Sequence, residues 1–335
     1  MRVAATIRDV ASAAGVSPAT VSRVLNGRLE VAEDLRRRVT AAIEQLGYRP
    51  NGAARSLRTR ATMVLGIMIS DITNPFFTAM VRGAEDAAQR SGYSVVLANT
   101  DEDLDKEHRY LQIAVAEQMA GVVIAPASST RTDISPLTRS GIPVVTVDRQ
   151  LRKTEIDSVT INNYRAAREA TEHLASEGGS RIAFISGPAK TTTGERRLAG
   201  FKAALAATGL EYAPSMVQKA DFRVQGGYVA ANTLLSQRQR PDALLVSNNL
   251  MALGALQAIH DVAMRVPDDL LFASFDGIPW ARALRPTLTV VEQPTYQIGR
   301  EAVQLLLSRI AGGSGPPRKV VLPAELSIGE SSRRH

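Results

Sequence analysis

Two short helices, each with its own start signal and joined at one glycine, open this chain and constrain its folding more than any other feature. Thr6 and Asp9 stand at the Thr-x-x-acid spacing of a capping box, which predicts a helix from Ile7. Ile7, Val10, Ala11 and Ala14 recur at helical intervals and form one apolar stripe. Gly15 follows the last of them, where a left-handed residue ends a helix and turns the chain. Ser17 is then an N-cap, with Pro18 at the first helical position, where its missing N–H costs nothing. Val21, Val24 and Leu25 make the second stripe. Ala11 is small where the helices cross, and Val16 and Val21 fill the wedge between them. A third helix carries Leu35, Val39, Ala42, Ile43 and Leu46 on one face and stops at Gly47. This is the pattern of a helix-turn-helix, and a plain alanine-rich helical hairpin shares part of it.

The charge distribution separates those two readings. Residues through Arg60 hold 11 arginines and 5 acidic residues, a net of +6, and the whole chain carries +7. A small basic module thus precedes a nearly neutral body, the electrostatic footprint of a DNA-binding head. In a helix-turn-helix the start of the second helix points at base edges in the major groove, which here means Ser17, Pro18, Ala19 and Thr20. Arg23, one turn on, can reach guanine O6 and N7. Thr6, Ile7 and Arg8 at the first helix and Asn26 after the second complete the candidate contacts. Pro18 and Ala19 offer few side-chain hydrogen bonds, so the half-site sequence is not readable.

From Thr62 the pattern changes. Val64–Ile69, Val95–Ala98, Val122–Ala125 and Val144–Val147 read as buried strands, alternating with helical stretches at Phe76–Ser91, Leu104–Met119 and Ile134–Ser140. After Asn162 the alternation restarts with strands at Arg181–Ile185, Ala243–Val246 and Leu271–Phe275 and helices near Arg196–Ala207, Gln225–Leu235 and Leu250–Val262. Such alternation implies parallel sheets covered by helices on both faces, in two lobes. The expected fold is therefore an all-α helix-turn-helix head on a two-lobed α/β body. Open α/β sheets bind ligands at strand C-termini. The candidates there are Asp71, Asn74, Asp101, Ser128, Asp148 and Arg149 in the first lobe, and Thr193, Arg197, Phe222, Asn248 and Asp276 in the second. Asp, Asn and Arg suit the paired hydroxyls of a sugar, and Phe77, Phe222 and Trp280 offer apolar faces for a ring. For Asp71 and Asp101 a helix cap or a salt bridge is an equal reading. Arg149 and Arg197 in one cleft equally suit an anionic ligand such as a sugar phosphate or sugar acid.

Composition excludes several classes. There are no cysteines, hence no disulfide or thiolate metal site, and His108, His173, His260 and His335 have no ligand spacing. No metal and no cofactor is expected. The N-terminus has no apolar signal-peptide core and no run is long enough to span a bilayer, so a cytoplasmic protein without membrane contact is expected. Aromatics make up 4% of the chain, too few for a single-strand stacking platform. No nucleophile–base pair or phosphate-cradling glycine loop appears, which argues against an enzyme. A free sugar-binding protein fits the body but not the basic head.

The run from Thr6 to Asn26, with Tyr48-Arg-Pro-Asn51 and Ala53-Ala-Arg-Ser-Leu57, resembles the LacI/GalR family of bacterial transcription repressors. In the body Asn74-Pro-Phe-Phe77, Val147-Asp-Arg149, Arg197-Leu-Ala-Gly-Phe201, Ser247-Asn248, Phe275-Asp276 and Pro286–Pro294 extend the likeness over essentially the whole chain. The resemblance implies a head at 1–50, a hinge helix at 51–61 and an effector-binding, dimerising body at 62–330. The body would resemble a periplasmic sugar-binding protein. Its lobes would comprise about 62–161 plus 292–319 and 162–291 plus 320–330. In the hinge, Leu57 would wedge a central base step open in the minor groove, with Ala53 and Ala54 approaching the groove floor. On the residues alone the same stretch reads as a plain linker. The resemblance places Arg197, Asn248 and Asp276 on effector-binding positions and Gln293 near the cleft. Asn249 and Gly277 stand where many relatives carry Asp, so a relative's hydroxyl pattern cannot be copied. The implied protein is a repressor whose affinity for a near-palindromic operator is set by a sugar-like effector. The chain has no heptad run for a tetramerising helix, so a homodimer is expected.

Overall fold

The computed structural model describes residues 5–25, 31–48, 62–278 and 285–334. The chain divides into two units, residues 1–62 and 63–335. In the first unit, α1 (Ile7–Ala14), α2 (Pro18–Leu25) and α3 (Glu33–Leu46) enclose a core of Val10, Ala11, Ala14, Val21, Val39 and Ala42. The capping box is complete: Thr6 N donates to Asp9 Oδ2 at 2.7 Å, and Asp9 N donates to Thr6 Oγ1 at 3.4 Å. Gly15 closes α1 at φ +63°, a conformation that a β-carbon disfavours. Ser17 caps α2 by accepting from Thr20 N at 3.2 Å.

One contact in the head has no signature in the apolar pattern. Arg38 reaches back from α3, and its Nη2 donates to the carbonyls of Ala14 at 2.6 Å and Gly15 at 3.3 Å. These are the unpaired carbonyls at the negative end of α1, so a guanidinium there satisfies acceptors and complements the helix dipole together.

The second unit holds two six-stranded sheets built to one plan. The first contains β1 (Val64–Ile69), β2 (Ser94–Asn99), β3 (Gly121–Ile124), β4 (Val144–Val147), β5 (Asp157–Ile161) and β11 (Lys319–Leu322), in the order β11-β5-β4-β3-β1-β2. The second contains β6 (Ile182–Ser186), β7 (Val217–Lys219), β8 (Ala243–Val246), β9 (Leu271–Phe275), β10 (Thr289–Glu292) and β12 (Glu325–Ser327), in the order β12-β10-β9-β8-β6-β7. Position by position the orders match. All neighbours run parallel except β12, which is antiparallel to β10. The helices are α4 (Pro75–Arg90), α5 (Leu104–Ala116), α6 (Ser135–Arg139), α7 (Asn163–Ser176), α8 (Thr192–Ala207), α9 (Val224–Leu235), α10 (Asn249–Asp261) and α11 (Thr295–Ile310). The β3, β4, β8 and β9 strands are buried throughout, as central parallel strands must be.

Two points amend the sequence reading. Helix α7 was not foreseen, because its sequence interleaves Arg and Glu with alanines and shows no bulky apolar stripe. Its buried face includes Ala166, Ala167 and Ala170, small residues that permit close packing on α8, with Leu174 beyond them. The last crossing between lobes falls after Leu322, since β11 pairs with β5 in the first sheet. After β11 comes β12, a short edge strand whose Glu-Leu-Ser gives no apolar run. A clasp fixes the approach to β11. Asp157 is buried and accepts from both Arg309 (2.8 and 2.9 Å) and Arg318 (2.9 Å). Burial raises its pKa, but the Arg309 and Arg318 donors outweigh that and hold it well below the usual carboxylate range.

Replacing Arg38 by Ala should leave the Ala14 and Gly15 carbonyls without this donor and cost the head about 1–2 kcal/mol. Amide exchange across residues 7–25 should quicken by roughly tenfold, with body amides unchanged. Unaltered exchange in the head would show that solvent replaces the guanidinium at no cost.

Candidate functional site

The head presents one accessible helix face. Ser17, Pro18, Ala19 and Arg23 are exposed on or at the start of α2, and Thr20 is half-buried beside them. Arg23 has no ion pair or hydrogen bond among the described residues, so its guanidinium is available to a partner. Ser17 and Thr20 hydroxyls bond each other at 3.0 Å. Thr6 and Arg8 are exposed and Ile7 is half-buried. Asn26, Ala53, Ala54 and Leu57 lie outside the described residues, as does Trp280.

In the body, the C-terminal ends of both sheets meet around a cavity of about 30 Å³. Asp148 is the first residue past β4 and Asp276 the first past β9, the same place in the two matched sheets. Both backbones are left-handed, with φ +62° and +64°, which Asp tolerates better than most residues. Both carboxyls are buried. Desolvation pushes the pKa of Asp276 up to about 6, although Arg197 and Gln293 pull it down; Asp148 adds to the rise. Asp148 is likewise raised by burial, against Arg149 and Arg197.

Two guanidiniums stand between these carboxylates. Arg149 forks onto Glu102 (Nη1–Oε2 2.8 Å, Nη2–Oε1 2.5 Å) and donates from Nη1 to Pro126 O at 3.0 Å. Its Nε lies 3.2 Å from Asp148 Oδ2, an ion pair whose angle is too poor for a hydrogen bond. Arg197 donates to Asn163 Oδ1 at 2.7 Å and to Ser247 O at 2.5 Å, with its guanidinium 4.0 Å from the centroid of Phe275. Phe222 carries an aromatic wall from the second lobe, 5.5 Å from Arg149. The missing β-carbon of Gly187 lets the tip of the ring approach the end of β6: a Cβ on Gly187 would sit 2.1 Å from Phe222 Cζ.

Hydrogen bonds close the lobes over the cavity. Asn249 Nδ2 donates to Asn74 Oδ1 at 3.0 Å. Ser129 N donates to Lys190 O and Thr192 N to Ser129 Oγ, both at 2.9 Å. Gln150 N donates to Thr192 Oγ1 at 3.1 Å, and an ion pair joins Arg152 to Glu195. Each bond is modest alone.

Nine of the expected effector residues line this cavity: Asn74, Phe77, Asp148, Arg149, Thr193, Arg197, Phe222, Asn248 and Asp276. Ser128 does not. It is fully buried, and its hydroxyl accepts from Arg131 N at 3.2 Å within its own turn. Gln293 reaches the cavity only through Asp276, donating to Oδ1 at 2.6 Å. Asp101 is occupied by Lys106 and Asn99, while Asp71 caps its own turn and also faces the cavity. Asn74 and Asn248 serve as N-caps of α4 and α10, so each presents a helix N-terminus to the cleft. Glu102, Asn163 and Asn249 were not singled out as ligand positions. Glu102 sits in an acidic run that reads as the start of a helix, and only the fold brings it to Arg149, 47 residues away.

A basic helix-turn-helix unit followed by a two-lobed α/β body with a polar interlobe cleft defines a ligand-responsive regulator. Residues 6–51 match the family "Bacterial regulatory proteins, lacI family", and residues 171–332 match "Periplasmic binding protein-like domain". The chain is 38% identical to the ribose operon repressor of Halalkalibacterium halodurans, over 98% of this chain and 97% of that one. It is 35% identical to catabolite control protein A of Priestia megaterium, over 98% and 99%. Its structure resembles that of the Lac repressor dimer bound to operator and an anti-inducer, with a TM-score of 0.87, 26% identity and coverage of 98% and 99%. The chain belongs to the LacI family of bacterial regulatory proteins. It is a DNA-binding transcriptional repressor under small-molecule control and not an enzyme. No helix among the described residues is long and apolar enough to cross a membrane.

The raised pKa of Asp276 carries a signed prediction. Between its ordinary 3.8 and about 6, the folded chain holds more protons than the unfolded one, so this group's contribution to stability falls as pH rises through that window. Asp276→Asn should therefore be more stable than the parent at pH 7.5, by on the order of 1–3 kcal/mol, and the gap should narrow between pH 6 and 4. Paired thermal melts at the two ends of that range check it; a gap independent of pH would place the shift elsewhere.

Proposed function

We propose that this repressor binds a near-palindromic operator as a homodimer in the cytoplasm and that a sugar-class effector in the interlobe cleft sets its operator affinity. The mirrored aspartates Asp148 and Asp276 carry this reading, flanked by Arg197, Asn248 and the rings of Phe77 and Phe222. Such groups give two-point hydrogen bonds to vicinal hydroxyls and an apolar face for the ring. Names of relatives support the class: ribose operon repressor for one, and a regulator–cellobiose complex for another. A cavity of about 30 Å³ has room for roughly one water, so a sugar ring enters only as the lobes part. Effector binding is thereby coupled to a two-state lobe movement, and a coupling of ~1–3 kcal/mol changes operator affinity roughly 5- to 150-fold.

In the head, Arg23 is the base-reading arginine, Ser17, Pro18, Ala19 and Thr20 set the approach of α2, and Thr6, Ile7, Arg8 and Asn26 support it. Leu57, with Ala53 and Ala54, supplies a minor-groove wedge.

Arg23→Ala should weaken operator binding by about 1–3 kcal/mol and relax preference at one base pair per half-site, read by titrating operator and single-base variants. Equal losses on operator and scrambled DNA would make Arg23 a phosphate contact. For the effector, a thermal-shift screen across pentoses and hexoses should raise the melting temperature for one chemical class, and that class should alter operator affinity. Sugars that stabilise the protein yet leave DNA binding unchanged would break the link between cleft and head.

A further inference from the structure

Glu102 has no part in the sugar-contact reading, yet it holds one of the guanidiniums that line the cleft. Its carboxylate takes both terminal nitrogens of Arg149, a guanidinium only 2% exposed. Its own side chain is 14% exposed, so the pair is largely out of water. Its main chain is left-handed at φ +61°, and its carbonyl accepts from Lys190 Nζ of the opposite lobe at 3.0 Å. Glu102 is thus fixed at the lobe junction when the cleft is closed. Behind it, buried Glu107 accepts from Ala127 N at 2.8 Å. The cavity lining as a whole carries five carboxylates against three guanidiniums.

This arrangement bears on a question that the pair Arg149 and Arg197 leaves open in the sequence. An anionic ligand reaching Arg149 would have to displace Glu102 and leave a buried carboxylate without its partner, the costly outcome for any buried ion pair. Two of the three nitrogens of Arg197 are also taken, Nε by Asn163 and Nη1 by Ser247, and its guanidinium lies over the face of Phe275. We propose that Glu102 sets the charge specificity of the cleft: by occupying Arg149 it restricts the site to uncharged effectors, and its removal opens the site to anionic ones. The proposal rests on the cleft being the effector site.

The test uses the full chain, titrated with matched pairs: D-ribose and D-ribose 5-phosphate, D-glucose and D-glucose 6-phosphate, D-galactose and D-galacturonate, and inorganic phosphate alone. Two variants are compared with the parent. Glu102→Gln keeps an acceptor for Arg149 without the charge. Glu102→Asn suits the left-handed backbone and is too short to hold the fork. Melting without ligand verifies that each is folded, and either one alone suffices. The parent should respond only to the neutral member of a pair, and the variants should gain ~tenfold or more in affinity for its anionic partner. Tighter binding of an anionic member by the parent, or no gain in the folded variants, overturns the assignment. If no sugar shifts the parent at all, the sugar reading fails, and phosphate still decides the charge question. Phosphate stabilising the Glu102 variants but not the parent upholds the role of Glu102; an equal response removes it.

Discussion

Arg149 is buried among strand ends, and it keeps its charge there because Glu102 and Asp148 stand beside it. Much of the cleft follows from that requirement. A guanidinium out of water needs acceptors on its nitrogens, and the fold supplies them from the end of β2, the loop after β3 and the end of β4. Those three segments are thereby tied together at the point where a ligand would sit. Three carboxylates, Glu102, Asp148 and Asp276, lie near the two guanidiniums of Arg149 and Arg197, and burial raises the pKa values of Asp148, Asp276 and Glu107. The cleft is consequently a place where charge is expensive and hydrogen-bonding groups are plentiful.

The matched strand orders of the two sheets explain why the polar groups converge. Each sheet ends its central strands in the same way, and the residue just past β4 or β9 turns back with positive φ. Asp148, Asp276 and Phe222 all adopt this conformation, as do Asp101 and Glu102 past β2. Non-glycine residues held there store backbone strain that surrounding structure must offset. In return, side chains that would continue along the strand are swung across its end and into the space between lobes. Around the cavity the lobes meet through hydrogen bonds between loop backbones and short polar side chains, contacts that water can replace, while one buried apolar cluster includes residues of both lobes.

The head solves a different problem. Three short helices bury six small or medium apolar residues, a thin core for an independent unit. Caps at Thr6, Ser17 and Gly15 and the Arg38 guanidinium on the end of α1 satisfy backbone groups that a larger core would tolerate losing. Their effect is to fix the angle between α1 and α2, which decides how the exposed face of α2 meets a partner.

Much of this was legible in the sequence. Caps, the turn glycine and the apolar stripes are local signals, and Thr6, Gly15 and Ser17 act as their spacing requires because each bonds within four residues. The central strands were legible for the same reason: β3 and β8 are apolar throughout, and β4 and β9 are apolar but for Thr146 and Ser274. Nine ligand candidates could be placed because strand C-termini are recognisable one at a time. Tertiary structure alone decided the rest. Ser128 faces its own turn, and Gln293 works through Asp276. Helix α7 hides in an alanine-rich, charge-striped segment, and β12 is visible only as the edge partner of β10. Above all, the partners of the two arginines come from residues 47 positions away for Arg149 and 34 for Arg197. Sequence spacing predicts contacts that one helix or strand enforces. Pairing between segments joined only by the packing of two sheets depends on where those sheets bring their ends, and that no local pattern records.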